Sequence, residues 1–443
     1  MVKPETYLAI DAGTSSIKVG IVDGEYNIIR QNSQKYNFIT PGKDRVELDF
    51  RLLRSKVLDA LKPLTEELSR VKGICFSVLC PGLVPMDREG EPLHNAIIHL
   101  DRRSVKQARA ALSLIGEKKF LSVAGNLPFP GGISLTSMLW LKQNMSQLYK
   151  EAYMLGHTNT FLAKMFTGRF AIDPSNASFT GLYDTVHYSG WSQDIIKALD
   201  LDDNKLPPVY YSDQVIGKTT RHISKLTGVP EGVPVTIGAA DTACAALGAD
   251  VCRDGHILNS TGTVELMVMS LDNPAVDKKL LLRTHPLRKK WLTMNIIGAG
   301  GVSVEWFRKN FCREMDARHY YDHYLPQILK QKSTSSVFRP YLAGDRLSFK
   351  QKRGSFSNLT LNTDREDMLR ALVNGIISPM GRAITQFENI TRTSGIIKYT
   401  GKGSSFLLQV KKDKFFPYRL LPTITNITLV GATRLIKLGQ DRD

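Results

Sequence analysis

The stretch Tyr7-Leu8-Ala9-Ile10-Asp11-Ala12-Gly13-Thr14-Ser15-Ser16-Ile17-Lys18-Val19-Gly20-Ile21-Val22 decides the fold. Tyr7–Ile10 is an apolar run that reads as a strand. It stops at the polar turn Asp11–Ser16. Ile17–Val22 resumes as a second strand, with Ile17, Val19 and Ile21 on one face. Asp23-Gly24 is a hairpin turn signal, and Tyr26–Arg30 extends into a third strand. Asp49–Val71 then reads as a helix. Leu52, Leu53, Val57, Leu58, Leu61 and Leu64 recur at helical spacing, and Asp49 is placed to cap its start. Gly73–Leu79 is a buried strand rich in Ile, Phe and Val. The order is β-β-β-α-β, which is not the strand–helix alternation of a Rossmann unit.

The turn between the first two strands carries chemistry. A glycine at Gly13 lets backbone N–H groups approach an anion, and the hydroxyls of Thr14, Ser15 and Ser16 add donors. A carboxylate at a strand end, here Asp11, can hold a magnesium ion directly or through water. A polar hairpin without a ligand uses the same turn chemistry, so that alternative stays open. No GxxxxGK[ST] is present, which excludes a P-loop enzyme.

Further along, helices are expected around Asp101–Leu114, Ser137–Tyr149 and Asp194–Leu199. Pro234–Ile237 is a short strand running into Gly238-Ala239-Ala240-Asp241, and Thr242–Gly248 is small and helical. Asp241 sits among small residues at a strand-to-helix junction, where a carboxylate can accept the proton of a hydroxyl as a P–O bond forms. Its other reading is the N-cap of the helix that follows. A second meander begins with His256–Asn259, turns at Ser260–Thr263 and returns over Glu265–Met269, with Trp291–Ile297 next. Val302–Phe311 and Asp364–Phe387 read as helices. Aligning Gly13-Thr14 with Gly262-Thr263 puts one strand–turn–strand hairpin at the start of each half. This is a weak internal repeat, of a kind that chance also supplies.

The length of 443 residues suggests two domains. Hydrophobic and charged shares of 42% and 23% exclude a disordered tail protein, a collagen and a small disulfide scaffold. The net charge of +17 admits an anionic partner, from a nucleotide to nucleic acid. The basic clusters, Arg283, Arg288, Lys289 and Lys290 and then Lys402, Lys411, Lys412 and Lys414, read as solvated faces. The five cysteines form no CxxC pair and none has a His at metal spacing, so zinc fingers and redox dithiols are excluded. Scattered thiols fit a reducing cytoplasm. Met1–Asp11 does not read as a signal peptide, and no run approaches the ~18 apolar residues of a membrane span.

The first hairpin, Asp11 through Lys18, resembles the first phosphate motif of the FGGY carbohydrate kinases, in the actin-like ATPase superfamily. Similar stations follow in order along nearly the whole chain. Pro92–Arg103 is similar to the family's substrate-side segment and Gly132–Asn144 to its central signature. Thr167-Gly168 and Asp173–Leu182 come next. Gly238–Gly248 resembles the catalytic-base motif and Ser260–Thr263 the second phosphate motif. Gly298–Phe307, Pro340–Arg346 and Asn374-Gly375-Ile376 are further stations. Gly401–Ser405 sits where the adenosine loop belongs, and Gly431-Ala432 closes the pattern.

The resemblance implies an α/β protein of two ribonuclease-H-like domains facing a central cleft. A sugar-binding domain over residues 1–252 and a nucleotide-binding domain over 253–443 are expected. It implies ATP and Mg²⁺ as cofactors and Asp241 as the catalytic base, with Asp11 and Asp241 at the metal. Asp11, Gly13, Thr14, Ser15, Ser16 and Lys18, with Gly262, Thr263, Gly401 and Gly403, would hold the nucleotide. Cys80, His99, Asp101 and Arg103, with Asp241, would hold the sugar. The expected partner is a small sugar or polyol, with no nucleic acid and no membrane; monomer and homodimer both stay open. Four departures bear on the reading. Ser137 stands where the central signature has Lys, Lys402 interrupts a glycine triplet, and His99 replaces a tryptophan. Cys80-Pro81 lies where xylulokinases carry Met-His and glycerol kinases Arg-Glu. A pentulose is the expected substrate. The alternatives are a catalytically altered nucleotide-binding or regulatory member and a glycerol or aldonate kinase.

Overall fold

The strand Thr6–Ala12 lies inside a six-stranded sheet. Its neighbours are Ser16–Asp23 on one side and Val71–Val78 on the other. The computed structural model describes residues 5–262, 264–330, 334–401 and 404–442. Across the sheet the order is Val215–Lys218, Pro234–Ala240, Val71–Val78, Thr6–Ala12, Ser16–Asp23 and Ile28–Lys35. The three central strands run parallel, and the first meander is antiparallel. Tyr7 to Ala12 are all buried, because helices cover both faces. Leu8, Ile10 and Ala12 pack with Phe50, Leu53 and Val57. Tyr7 and Ala9 pack with Leu429, Leu435 and Ile436. This is the period-two alternation of a strand, carried here by apolar residues on both sides.

Two expectations about this half are corrected. The third strand is Ile28–Lys35, not Tyr26–Arg30. The Asp23 carboxylate accepts from the backbone N–H of Glu25 at 2.9 Å and of Asn27 at 2.8 Å. Those bonds widen the turn, and Tyr26 takes a φ of 67° inside it. The single helix Asp49–Val71 is broken. An α-helix spans Phe50–Leu61, a 3₁₀ turn Lys62–Leu64 and a short helix Thr65–Leu68. Pro63 lacks an N–H and its ring crowds the carbonyl four residues back, so the α-helix stops there. Asp49 caps the start as expected, accepting from Arg51 N at 2.8 Å and Leu52 N at 3.3 Å.

The second sheet repeats this plan. Its order is Leu281–Thr284, Trp291–Ile297, Glu265–Leu271, Ile257–Thr261, Ile396–Thr400 and Arg419–Pro422. In each sheet an antiparallel meander of three strands is extended by parallel strands beside its first member. The Gly-Thr repeat read in the sequence therefore marks equivalent hairpins of two lobes. A further five-stranded sheet, from Ile39–Gly42 to Met154–Gly156, belongs to the first half of the chain.

The last helix, Ile427–Gln440, returns to the first lobe. It packs on the strands Thr6–Ala12 and Val71–Val78 and against the helix Asp241–Gly248. The two helices cross almost backbone to backbone. A Cβ added at Gly431 would lie 1.9 Å from the Cys244 carbonyl oxygen, a separation no side chain tolerates. The small residues Ala243, Cys244, Ala245 and Ala246 are what permit this approach.

Candidate active site

Open α/β sheets place ligands beyond the carboxyl ends of their parallel strands. Asp11 stands at that end of Thr6–Ala12, in register with Ser77 of the neighbouring strand. The Ser77 hydroxyl donates to Asp11 Oδ1 at 2.8 Å, and the Thr428 hydroxyl donates to Oδ2 at 2.9 Å. Asp11 is 5% exposed. Burial raises its pKa, while the charge of Lys18 and the two hydroxyls pull it back. The adjoining hairpin is held shut by Gly13 N donating to the Ser16 carbonyl at 3.0 Å and Tyr36 N donating to the Ser15 carbonyl at 3.2 Å. The Tyr36 hydroxyl donates to the Gly13 carbonyl. Thr14 and Ser15 are exposed at the tip, where an anion can reach them.

Asp241 follows the strand Pro234–Ala240, on the far side of Val71–Val78 from Asp11. The strand runs three residues beyond the expected Ile237 and carries a register shift between Thr236 and Ala239. Gly238 makes the shift possible. Its φ is +74°, and a Cβ there would lie 1.8 Å from the Phe76 carbonyl oxygen. Such a bulge re-aims the residues after it. Ala240 N donates to Ser175 Oγ at 2.9 Å, and Ser175 Oγ donates to the buried Asp173 carboxylate at 2.5 Å. The backbone just before Asp241 is thereby anchored.

The helix begins at Asp241 itself, with Ala240 as N-cap and no capping side chain. Asp241 Oδ1 accepts from Thr242 N at 2.7 Å and Thr242 Oγ1 at 3.3 Å. No described residue donates to Oδ2. Burial, then the negative charge of Asp11, push the Asp241 pKa up to about 6. The charges of the two carboxylates also raise the Tyr36 hydroxyl, after burial. A base must be deprotonated to act. We therefore expect kcat/KM to fall about tenfold per pH unit below about pH 6. In Asp11→Asn the residual activity should hold to lower pH, because a neighbouring negative charge has gone. A pH–rate profile of both proteins checks this, and identical acid limbs would sink the assignment.

The expected sugar-side residues have distinct fates. Asp101 is buried and accepts from Val46 N at 2.7 Å and Arg103 N at 2.9 Å. Arg103 Nε and Nη2 also bind its carboxylate. Arg103 in turn reaches Glu47 at 2.6 Å and stacks over Trp140. The Asp101 carboxylate is filled by these donors, and Arg103 is tied to it and to Glu47 through Nε and Nη2. Cys80 is buried, its Sγ 3.5 Å from His157 Nδ1, and burial keeps the thiol protonated. His99 is buried with Nδ1 lacking any partner. Burial holds its pKa well below the usual value.

On the second lobe, Gly262 closes its hairpin by donating to the Val264 carbonyl at 3.0 Å. Gly401 follows the strand Ile396–Thr400 and packs on the backbone of Thr261. Thr263 and Gly403 lie outside the described residues. One expectation on this lobe is overturned. Lys411 is not part of a solvated face. Its ammonium is fully buried and donates to Asn259 at 2.9 Å, Thr261 at 2.6 Å and Glu265 at 3.0 Å. That network ties the helix Ser404–Lys414 to the hairpin, and removing one partner of such a buried pair costs about 3–5 kcal/mol. Arg283, read as part of another basic surface cluster, is also fully buried.

Sequence reading missed Ser77, Tyr36 and Thr428, which set the hairpin and Asp11, and it gave Arg346 no role. Arg346 ends the loop Pro340–Arg346, one of the segments that carry the family resemblance. Its charge and that of Asp241 act on each other, and burial lowers its pKa to about 10. Arg102 fastens this loop to the first lobe. Its guanidinium donates to the carbonyls of Pro130 at 3.1 Å, Asp345 at 2.9 Å and Ser348 at 2.6 Å. Among the described residues no three His, Cys, Asp or Glu could together hold a metal. The pair Asp11 and Asp241 still fits Mg²⁺, which takes hard oxygen ligands and fills its remaining positions from water and phosphate.

Two lobes of one plan, a hydroxyl-lined turn on the first and a raised carboxylate between them define an actin-like phosphotransferase fold. Comparison with known proteins agrees. Residues 6–248 match the N-terminal domain of the FGGY family of carbohydrate kinases. The xylulose kinase of Staphylococcus xylosus is 26% identical over 98% of this chain and 90% of its own. The autoinducer-2 kinase of Escherichia coli is 26% identical over 98% and 86%. The crystal structure of xylulose kinase from Lactobacillus acidophilus superposes with a TM-score of 0.89 at 21% identity, covering 99% of this chain and 90% of that one. The chain belongs to the FGGY family of carbohydrate kinases. It is a phosphotransferase acting on a sugar hydroxyl, in a family that uses ATP and generally requires Mg²⁺. Among the described residues no helix is long and apolar enough to cross a membrane.

Proposed function

We propose that the protein transfers the γ-phosphoryl group of ATP to a hydroxyl of a pentulose, with Asp241 as the general base. The observation that carries this is Asp241 Oδ2, which has no donor among the described residues and belongs to a carboxylate whose pKa is raised to about 6. A base poised near working pH accepts a proton most effectively. In this reading Asp241 takes the hydroxyl proton as the sugar oxygen bonds to the γ-phosphorus and the bond to the β–γ bridging oxygen breaks. Thr14, Ser15 and Ser16 with the hairpin amides hold phosphate from the first lobe, and Gly262 with Thr263 from the second. Mg²⁺, when bound by Asp11 and Asp241, neutralises charge on the phosphates. Closing the lobes excludes water and aligns the hydroxyl.

The division into a sugar domain at 1–252 and a nucleotide domain at 253–443 is part of this proposal, with Ile427–Gln440 crossing back to the first. The relatives named for xylulose support a five-carbon ketose. Five free thiols support a reducing cytoplasm. We include no nucleic-acid partner, and size measurement in solution separates monomer from homodimer. The deciding test is ADP release over pentuloses, hexuloses, polyols and aldonates. One pentulose should lead clearly. Glycerol as the best substrate, or no sugar stimulating release, would refute the reading.

A further inference from the structure

The sugar side of the cleft has an unequal supply of free donors and acceptors. Asp101 is fully engaged by Val46 N and Arg103. Among the residues expected at the sugar, Asp241 Oδ2 is then the carboxylate oxygen still open. Against this stands Arg346. Its side chain makes no hydrogen bond or ion pair to any described residue, and its Nε is enclosed without a partner. It lines an inter-lobe cavity of about 500 Å³ together with His99, whose Nδ1 is likewise enclosed and unpaired. Other acids on that cavity do not neutralise it. Asp345 is paired with Lys352 at 2.5 Å, and Asp44 is exposed. The loop is no loose strand either, since Arg102 holds the carbonyls of Asp345 and Ser348 on both sides of Arg346. A guanidinium carried between the lobes on an anchored backbone, with its donors unused, is open to an acceptor.

A guanidinium offers only donors. A ligand hydroxyl set against it must place its own proton elsewhere. In the proposed reaction Asp241 Oδ2 is taken by the hydroxyl being phosphorylated, and Asp101 has nothing left. A second hydroxyl set there must find a further acceptor on the cavity, such as the one accepting nitrogen of the uncharged His99 ring. An oxygen that only accepts has no such requirement.

We propose that Arg346 binds an acceptor-only oxygen of the substrate, the ketone carbonyl of a ketulose or the carboxylate of an aldonate, and so selects against polyols. This rests on the kinase reading above and adds to it a specificity residue supplied by the second lobe. The test compares three ligands: the best ketulose, the polyol obtained by reducing its carbonyl, and the aldonate of the same chain length. Wild type should prefer the ketulose or the aldonate over the polyol by on the order of 10²-fold or more in kcat/KM. Arg346→Gln should shrink that preference to about tenfold or less with KM for MgATP unchanged. Arg346→Lys keeps the charge, loses the fork and should fall between. Which of the two oxygenated ligands wins assigns carbonyl or carboxylate. A polyol that matches them in wild type overturns the proposal, as does an equal loss on all three ligands or a loss confined to MgATP. Calorimetric binding of the same ligands without nucleotide separates the two readings. Selective binding without turnover sinks the kinase reading alone, and turnover without selectivity sinks only this one.

Discussion

Asp241→Asn is expected to fold, bind ATP and lose sugar phosphorylation by a factor on the order of 10²–10⁴ in kcat. The substitution keeps the shape and the bond from Thr242 N, so the helix start at Asp241 is preserved. It removes the ability to take up a proton at neutral pH. Stability gives an independent check with a definite sign. The folded-state pKa of Asp241 is raised from 3.8 to about 6, so the folded protein holds its proton more tightly than the unfolded chain. Stability from this group is present at low pH and is lost as pH rises from about 4 to about 6. At pH 7 the carboxylate is a net burden, and the asparagine variant should melt no lower than wild type. Single-turnover kinetics with a melting curve decide. Activity within a few-fold of wild type would make Asp241 a structural residue.

Asp11→Ala should damage use of MgATP far more than binding of the sugar. Asp11 is held by Ser77 and Thr428 beside the hairpin proposed to hold the nucleotide's phosphates. A carboxylate that supports a metal, directly or through water, is typically worth 10–100-fold in metal affinity or activity, and KM for MgATP should rise by about that much. Thr14→Ala removes one exposed hydroxyl from the same turn. A neutral hydrogen bond contributes about 0.5–1.5 kcal/mol, so the effect should stay within about tenfold. Calorimetry of both variants with nucleotide and with sugar distinguishes the faces of the cleft. Lost sugar affinity with normal nucleotide affinity would refute the placement.

The parts of this site that sequence could reveal are those built from neighbours in the chain. The hairpin Asp11–Lys18 announces itself, because strand, glycine turn and hydroxyls are contiguous. Asp241 announces itself through the small residues that let its helix cross another. The parts that stayed hidden are made by distance. Nothing near Asp11 points to Thr428, which lies 417 residues away. Lys411 looks like one more surface cation beside Lys412 and Lys414. What buries it is a set of three acceptors near position 260, which no local pattern encodes. Asp101 and Arg103 look like two ligand-binding charges, and only the structure pairs them with each other. Arg346 was within a recognised segment, but a missing partner is visible only in three dimensions.

The helix Ile427–Gln440 has a consequence for how the molecule can be made. It covers one face of the first lobe's sheet and supplies the Thr428 hydroxyl to Asp11. A ribosome delivers this helix only after the hairpin and the whole second lobe have been synthesised. Until then the apolar face of Tyr7 and Ala9 has no cover from Leu429, Leu435 and Ile436. The nascent first lobe is thus an unfinished half, open to chaperones and to wrong partners, and it lacks the hydroxyl that Asp11 later accepts from. A stop codon placed ahead of Ile427 would take the Thr428 hydroxyl away from Asp11, which lies 417 residues earlier in the chain.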